Sequence, residues 1–287
     1  MPFPIADVVM KLRAGRRALS NDPSFLSNAQ AQAFDRALKQ RWLPVAGFLR
    51  AGMDVLAALA GTDKYGQHFY TEVYEALARP RRREPVKLLE VGVGGYEGWL
   101  GGESLLMWAA YFPKGRIYGI DLVDKTALSR DRIKVFQCSQ VDRERLTALA
   151  REIGPFDFVI DDGSHMNAHQ IETFRILWPF VKDGGIYVVE DVQTSYWPYY
   201  GGGALGSPSY QGSCMSFFKG LSDSVNLPEF LERPSPDAVL DYTIASVAFH
   251  HNMIVLTKDA TERMSNFPLD RPDMRGHLTQ PAEGGGR

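Results

Sequence analysis

The spacing of apolar and polar positions changes character once along the chain. Over residues 1–60 apolar side chains recur at three-and-four spacing with little β-branched alternation, which predicts helices over 5–17, 28–39 and 43–59. The segment GTDKYGQHFY at 61–70 reads as a loop entering a short helix that ends near 78. From 86 onward, short apolar runs alternate with amphipathic stretches. Strands are predicted at 87–93, 116–121, 133–138, 156–161 and 185–190, with helices at 103–111, 143–153 and 168–181 between them. This alternation is the pattern of a parallel sheet covered by helices. A Gly/Ser/Tyr-rich loop follows at 195–213, then a helix near 215–221. Two further strands, 242–249 and 252–257, flank a His-His turn and predict an antiparallel hairpin. The organisation expected is a helical extension and linker over 1–84, an α/β Rossmann-like domain over 85–267, and a disordered tail over 268–287.

Composition adds mainly exclusions. A chain of 287 residues with 45% hydrophobic and 23% charged residues is of ordinary globular type. Its formal net charge of −2 creates no long-range field to gather nucleic acid or an anionic membrane, so neither is expected as a partner. The basic run Arg79-Pro-Arg-Arg-Arg83 lacks interleaved aromatics and is read as a solvated linker. With only Cys138 and Cys214, neither a disulfide framework nor a thiolate metal site is expected. No apolar stretch approaches the ~20 residues that span a bilayer, and the N-terminus lacks signal-peptide character, so a cytoplasmic protein is expected.

The first candidate site is the glycine-rich turn of Leu-Leu-Glu-Val-Gly-Val-Gly-Gly-Tyr, residues 88–96, which follows the first strand of the domain. Gly92 and Gly94 let a ligand approach the backbone, and Tyr96 closes the turn. Asp121 ends the second strand, where a carboxylate can accept from ribose hydroxyls; Ser139 and Gln140 end the third, where an adenine edge would lie. These features suit a nucleoside cofactor, and NAD remains an alternative. Against NAD, the loop lacks the full Gly-x-Gly-x-x-Gly spacing, and Glu90 precedes its first glycine. A carboxylate there suits the positively charged methionine end of S-adenosylmethionine (SAM) better than a pyrophosphate.

The second candidate site lies at the ends of the fourth and fifth strands, Ile-Asp-Asp-Gly-Ser-His165 and Val-Glu-Asp191. Asp162, Glu190 and Asp191 can converge there, and three carboxylates meeting at one point call for a cation. An all-oxygen set favours a hard ion, Mg²⁺ first, with Ca²⁺ or Mn²⁺ as alternatives. Helix capping by Asp162 or Ser164, and a turn role for Asp191, are the structural alternatives. His165, three residues after Asp162, is the candidate general base. The aromatic run at 196–200 offers Tyr196 and Trp197 as surfaces on which a pyranose could stack, and the glycines after it suggest a mobile lid.

Together these blocks resemble the metal-dependent sugar O-methyltransferases of macrolide biosynthesis, the macrocin and mycinamicin type, a group of class I SAM-dependent methyltransferases. The resemblance covers 88–203 and rests on EVGVGGY, YFPKGRIYGID, IDDGSH and VEDVQTSYWP. A more distant likeness to catechol O-methyltransferase lies in the spacing of an acid, a base three residues on, and acids 28 and 29 residues on, with His165 where that enzyme has lysine. The resemblance implies a class I methyltransferase sheet, SAM and Mg²⁺ as cofactors, and a sugar hydroxyl as methyl acceptor. It further implies Ser104 near the methionine carboxylate, Asp161 beside the cofactor, Thr62 closing over it, and a homo-oligomer. The acceptor class stays open among glycosylated natural products, small glycosides and oligo- or polysaccharides. A cephalosporin hydroxylase-like reaction and a non-catalytic SAM-binding subunit are the alternatives on the same fold.

Overall fold

The computed structural model describes residues 37, 39–95, 100–232, 234–235, 240–261 and 264–265. The predicted helix 5–17, nearly all of 28–39, the tail from 268 and Tyr96 lie outside the described residues. Seven strands form one sheet in the order β3-β2-β1-β4-β5-β7-β6. They are β1 (Lys87–Val91), β2 (Arg116–Asp121), β3 (Ile133–Gln137), β4 (Phe156–Asp161), β5 (Val181–Glu190), β6 (Ile244–His250) and β7 (Met253–Lys258). The first five are parallel, and β7 runs antiparallel to both β5 and β6. The α/β Rossmann-like class with a terminal antiparallel hairpin is therefore the observed architecture. Strand order reverses direction at β1 and β4, which opens a crevice beyond their carboxyl ends, where ligands of such sheets bind.

The helices are α1 (Leu43–Phe48), α2 (Met53–Ala60), α3 (Thr71–Ala78), α4 (Glu103–Tyr111), α5 (Arg143–Ile153), α6 (Asn167–Leu177), α7 (Pro208–Gln211) and α8 (Cys214–Gly220). The pleat divides the core in two. Leu88, Ile160 and Val188 pack with Leu56, Tyr74 and Trp108 on the α1–α4 side, whereas Leu89, Val159 and Val189 pack with Leu146, Phe174 and Phe218 on the other. This is the two-residue period of strands buried on both faces.

Three predicted elements differ. The helix expected over 43–59 is two, because the chain turns through a left-handed Arg50 (φ +58°) between α1 and α2. The helix expected to reach 181 ends at Leu177, and Pro179 draws the next residues into a 3₁₀ turn. β5 starts at Val181 rather than at Gly185, with a register irregularity opposite Phe156–Phe158.

The basic run is also more than a solvated linker. Arg82 donates to the carbonyls of Arg50 and Ala51 and lies over the Tyr111 ring, while Arg81 pairs with Asp157. The loop expected as a mobile lid is bound down: Asn167 donates to Thr194 O and Tyr200 O and accepts from Ser195 Oγ and Cys214 N. Among the described residues, no helix is long and apolar enough to cross a membrane.

Trp108 joins α4 to α3. It is fully buried, edge-on to Tyr74 at 4.9 Å and stacked near Phe112 at 6.4 Å. Trp108→Ala is expected to cost about 3–5 kcal/mol of stability, read from denaturant unfolding.

Candidate active site

Glu90, Glu190 and, by continuation of β4, Asp162 share the face on which α1–α4 pack, since each lies two residues beyond an apolar side chain of that core: Leu88, Val188 and Ile160. Their carboxylates surround one ammonium. Lys64, in the loop between α2 and α3, is 1% exposed, and its Nζ donates to Asp162 Oδ2 at 2.8 Å and to Glu190 Oε1 and Oε2 at 2.7 and 2.8 Å. Glu90 Oε1 is 3.2 Å from the same nitrogen, a contact without hydrogen-bond geometry, while Glu90 Oε2 accepts from Ser104 Oγ at 2.8 Å. Tyr74 donates to Glu190 Oε1 from α3.

Burial by itself would drive Lys64 toward its neutral form. The carboxylates of Asp162, Glu190 and Glu90 outweigh that penalty and hold the ammonium well above its ordinary pKa. In turn, burial pushes Glu190 well above the usual carboxylate range and raises Asp162 and Glu90, with Lys64 opposing in every case.

Asp191 follows at the end of β5 in a left-handed conformation (φ +55°), and His165, beyond β4, has φ +56°. The paired departures from the favoured backbone regions turn both side chains to one point. His165 Nε2 lies 3.6 Å from Asp191 Oδ2, and ligand atoms of Asp162, His165 and Asp191 all lie within 4.8 Å of one another. Tyr70 donates to Asp191 Oδ1 at 2.7 Å, and His68, stacked on Tyr70 at 5.0 Å, brings Nδ1 within 3.5 Å of the same oxygen. Burial works to raise Asp191, but the Tyr70 hydroxyl together with His165 and His68 holds it below the ordinary value. His165 Nδ1 is buried and has no hydrogen-bond partner among the described residues.

A cavity of about 1560 Å³ opens beside this cluster, lined by Thr62, Gly92, Gly94, Ser104, Asp121, Ser139, Gln140, Asp162, His165, Asp191 and Trp197 among others. Gly92 has φ +82°, and a Cβ there would stand 2.1 Å from Asp162 O, so the turn lies directly against the segment after β4. At Gly94 (φ +66°) nothing lies within 4 Å of where a Cβ would be, which leaves its backbone open to a ligand. Asp121 accepts from Val93 N at 3.2 Å and Val123 N at 2.9 Å. Lys125 pairs with Asp121 Oδ2 at 3.0 Å and also donates to Gly94 O, which ties the ends of β1 and β2 together. Gln140 donates to Asp161 and Thr173 and accepts from Ser164 N.

The structure thus brings Thr62, Glu90, Gly92, Gly94, Ser104, Asp121, Ser139, Gln140, Asp162, His165, Glu190 and Asp191 to one crevice. Three expectations need correction. Asp161 does not line the cavity: the pleat turns it to the opposite face, where burial pushes its carboxyl up to about 8 and Gln140 is its donor. Glu190 is grouped by sequence with the cation ligands, but both its oxygens are turned to Lys64, and one also to Tyr74. Of the aromatic pair, Trp197 lines the cavity, whereas Tyr196 stacks on Tyr210 at 5.7 Å.

Sequence reasoning passed over Lys64, His68, Tyr70, Tyr74 and Lys125. The signal available for the first four was an unusual density of Lys, His and Tyr in 61–74, a stretch otherwise read as loop and short helix.

No family model matches the chain. Among curated proteins, it is 38% identical over 244 residues to the mycinamicin VI 2″-O-methyltransferase of Micromonospora griseorubida, a match that covers 83% of this chain and 60% of that protein. It is 41% identical over 211 residues to the 8-demethyl-8-alpha-L-rhamnosyl tetracenomycin-C 2′-O-methyltransferase of Streptomyces olivaceus, covering 73% and 55% respectively. The chain therefore spans between about half and three fifths of the length of the curated relatives it matches. Among solved structures it superimposes, at 37% identity and a TM-score of 0.71, on MycE, a methyltransferase from the mycinamycin biosynthetic pathway solved in complex with Mg, SAH and mycinamycin VI; 80% of this chain and 59% of that one are covered. The seven-stranded sheet agrees with that likeness, and the chain is a class I methyltransferase fold that resembles the macrocin and mycinamicin type of sugar O-methyltransferase.

Proposed function

We propose that the chain is a SAM- and Mg²⁺-dependent O-methyltransferase whose acceptor is a sugar hydroxyl of a glycosylated natural product, a small glycoside or an oligo- or polysaccharide. The observation that carries this reading is a convergence of acids: Glu90, Asp162, Glu190 and Asp191 gather at strand ends beside a cavity of about 1560 Å³, and Lys64 is the one ammonium paired with the first three among the described residues. A divalent cation and a positively charged methyl donor together would neutralise the remainder. The donor set fits a hard cation, because Asp162 and Asp191 offer carboxylate oxygens at a common point beside His165. The cradle fits the methyl donor, because open space lies beside Gly94 where a side chain would stand and Glu90 brings a buried carboxylate to the start of α4. NAD is disfavoured: Glu90 and Glu103 bring negative charge to the N-terminus of α4, where a pyrophosphate would need the opposite.

When bound, the cation would supply Lewis acidity toward an acceptor hydroxyl. Asp162 and Asp191 would hold it, and Glu190 would join them on turning an oxygen from Lys64. Glu90, with Ser104 hydrogen-bonded to it, faces the methionine end, Gly92 and Gly94 shape the turn, Asp121 receives the ribose, and Ser139 and Gln140 border the adenine. Thr62 covers the donor from the strap before the sheet. His165, oriented by Asp191, is the base that takes the hydroxyl proton, and Tyr70 fixes Asp191 from behind. Trp197 at the mouth offers a flat face for a pyranose ring. Two relatives are named for 2′-O- and 3′-O-methylation of rhamnosyl tetracenomycin-C, which supports the acceptor class.

The reading is tested by calorimetric titration of SAM, S-adenosylhomocysteine and NAD with and without Mg²⁺. Micromolar binding of both SAM compounds with no NAD heat is the expected result, and NAD binding alone overturns the reading. His165→Ala should lower kcat by about 10²–10⁴-fold, with S-adenosylhomocysteine affinity unaltered. Tyr70→Phe removes a hydroxyl donor from an ionised carboxylate and should cost about 1.5–3 kcal/mol of stability, measured by denaturant unfolding.

A further inference from the structure

Lys64 is the feature that the proposed chemistry leaves without a part. It arises from the loop between α2 and α3, outside the sheet, yet it is 1% exposed and contacts carboxylates from three separate strands or strand ends. Its three N–H donors meet Asp162 and both oxygens of Glu190, and Glu90 stands at 3.2 Å. Among the described residues, no arginine and no other lysine pairs with these three carboxylates. Carboxylates buried this closely repel one another, and they stay ionised together only with a positive partner beside them.

We propose that Lys64 is an internal counter-cation: a positioning residue that keeps Glu90, Asp162 and Glu190 assembled before any ligand arrives and sets how tightly the site takes a divalent cation. The inference rests on the cation site proposed above. Two consequences follow from Coulomb's law. The crevice is pre-formed in the metal-free protein, because the repulsion of its acids is already offset. A divalent ion drawing on the same carboxylates also feels the ammonium, so Lys64 weakens its binding and leaves the site exchangeable. A lysine with a purely structural part would differ in one respect: the harm from removing it would not depend on metal.

The test compares wild type with Lys64→Met, using the melting temperature in EDTA and in Mg²⁺ and the calorimetric Kd for Mg²⁺. The double variant Lys64→Met/Glu90→Gln, with one buried acid neutralised, stands in if the single variant does not fold in EDTA. The expected result is a variant destabilised in EDTA, largely restored by Mg²⁺, with a Kd for Mg²⁺ at least tenfold lower than wild type. A folded variant whose Kd is unchanged or higher, or whose loss of stability is the same in EDTA and Mg²⁺, overturns the proposal. Mg²⁺ binding by the variant but not by wild type supports Lys64 as counter-cation and removes Mg²⁺ from the function proposed above. Binding by neither overturns both.

Discussion

The site depends on one buried ammonium. Lys64 Nζ is held by acids whose carboxylates would otherwise repel one another, and in being held it draws residues 61–70 down over the carboxyl ends of β1, β4 and β5. Everything else on that strap follows from the anchor. Thr62 is carried to the cavity, His68 and Tyr70 are brought against Asp191, and Tyr74, one helix turn later, reaches Glu190. The electrostatic knot is set into a dry wall, since Tyr74 packs edge-on against Trp108, which is itself buried in the core shared by α1–α4. A charge cluster of this kind is costly to bury unless its geometry is complete. Here completeness comes from one residue contributed by a different part of the chain.

The second constraint is the pleat. Adjacent residues of a strand face opposite ways, so Asp161 and Asp162 cannot both serve the crevice. Asp162 faces Lys64 and the cavity, whereas Asp161 turns into the opposite core and, through Gln140, locks the end of β3 to the segment after β4. The same alternation puts Glu90 on the face of Asp162. The ends of β1, β4 and β5 are thereby joined through a single lysine.

The chain matches its curated relatives over only part of their length. The crevice gathers the glycine turn, the strand-end acids and His165 in one contiguous place. Trp197 and Tyr200 line the same cavity, and the loop that carries them is bound through Asn167.

By itself the sequence determined the alternation of strands and helices, the hairpin ending, and the positions at which a glycine turn and strand-end acids would sit. These are local properties: hydrophobic period, glycine and proline punctuation, and the rule that parallel strands present their carboxyl ends together. The break at Arg50, the start of β5 and the exclusion of Asp161 were decided by packing and by which face each residue meets in the folded sheet. The capture of Glu190 by Lys64 and Tyr74 was decided only in three dimensions, since residues 64 and 190 are 126 positions apart and nothing in either neighbourhood specifies the other. Local pattern encodes where an acid stands along a strand. Which cation stands beside it depends on long-range packing, which brings a loop from outside the sheet over the strand ends.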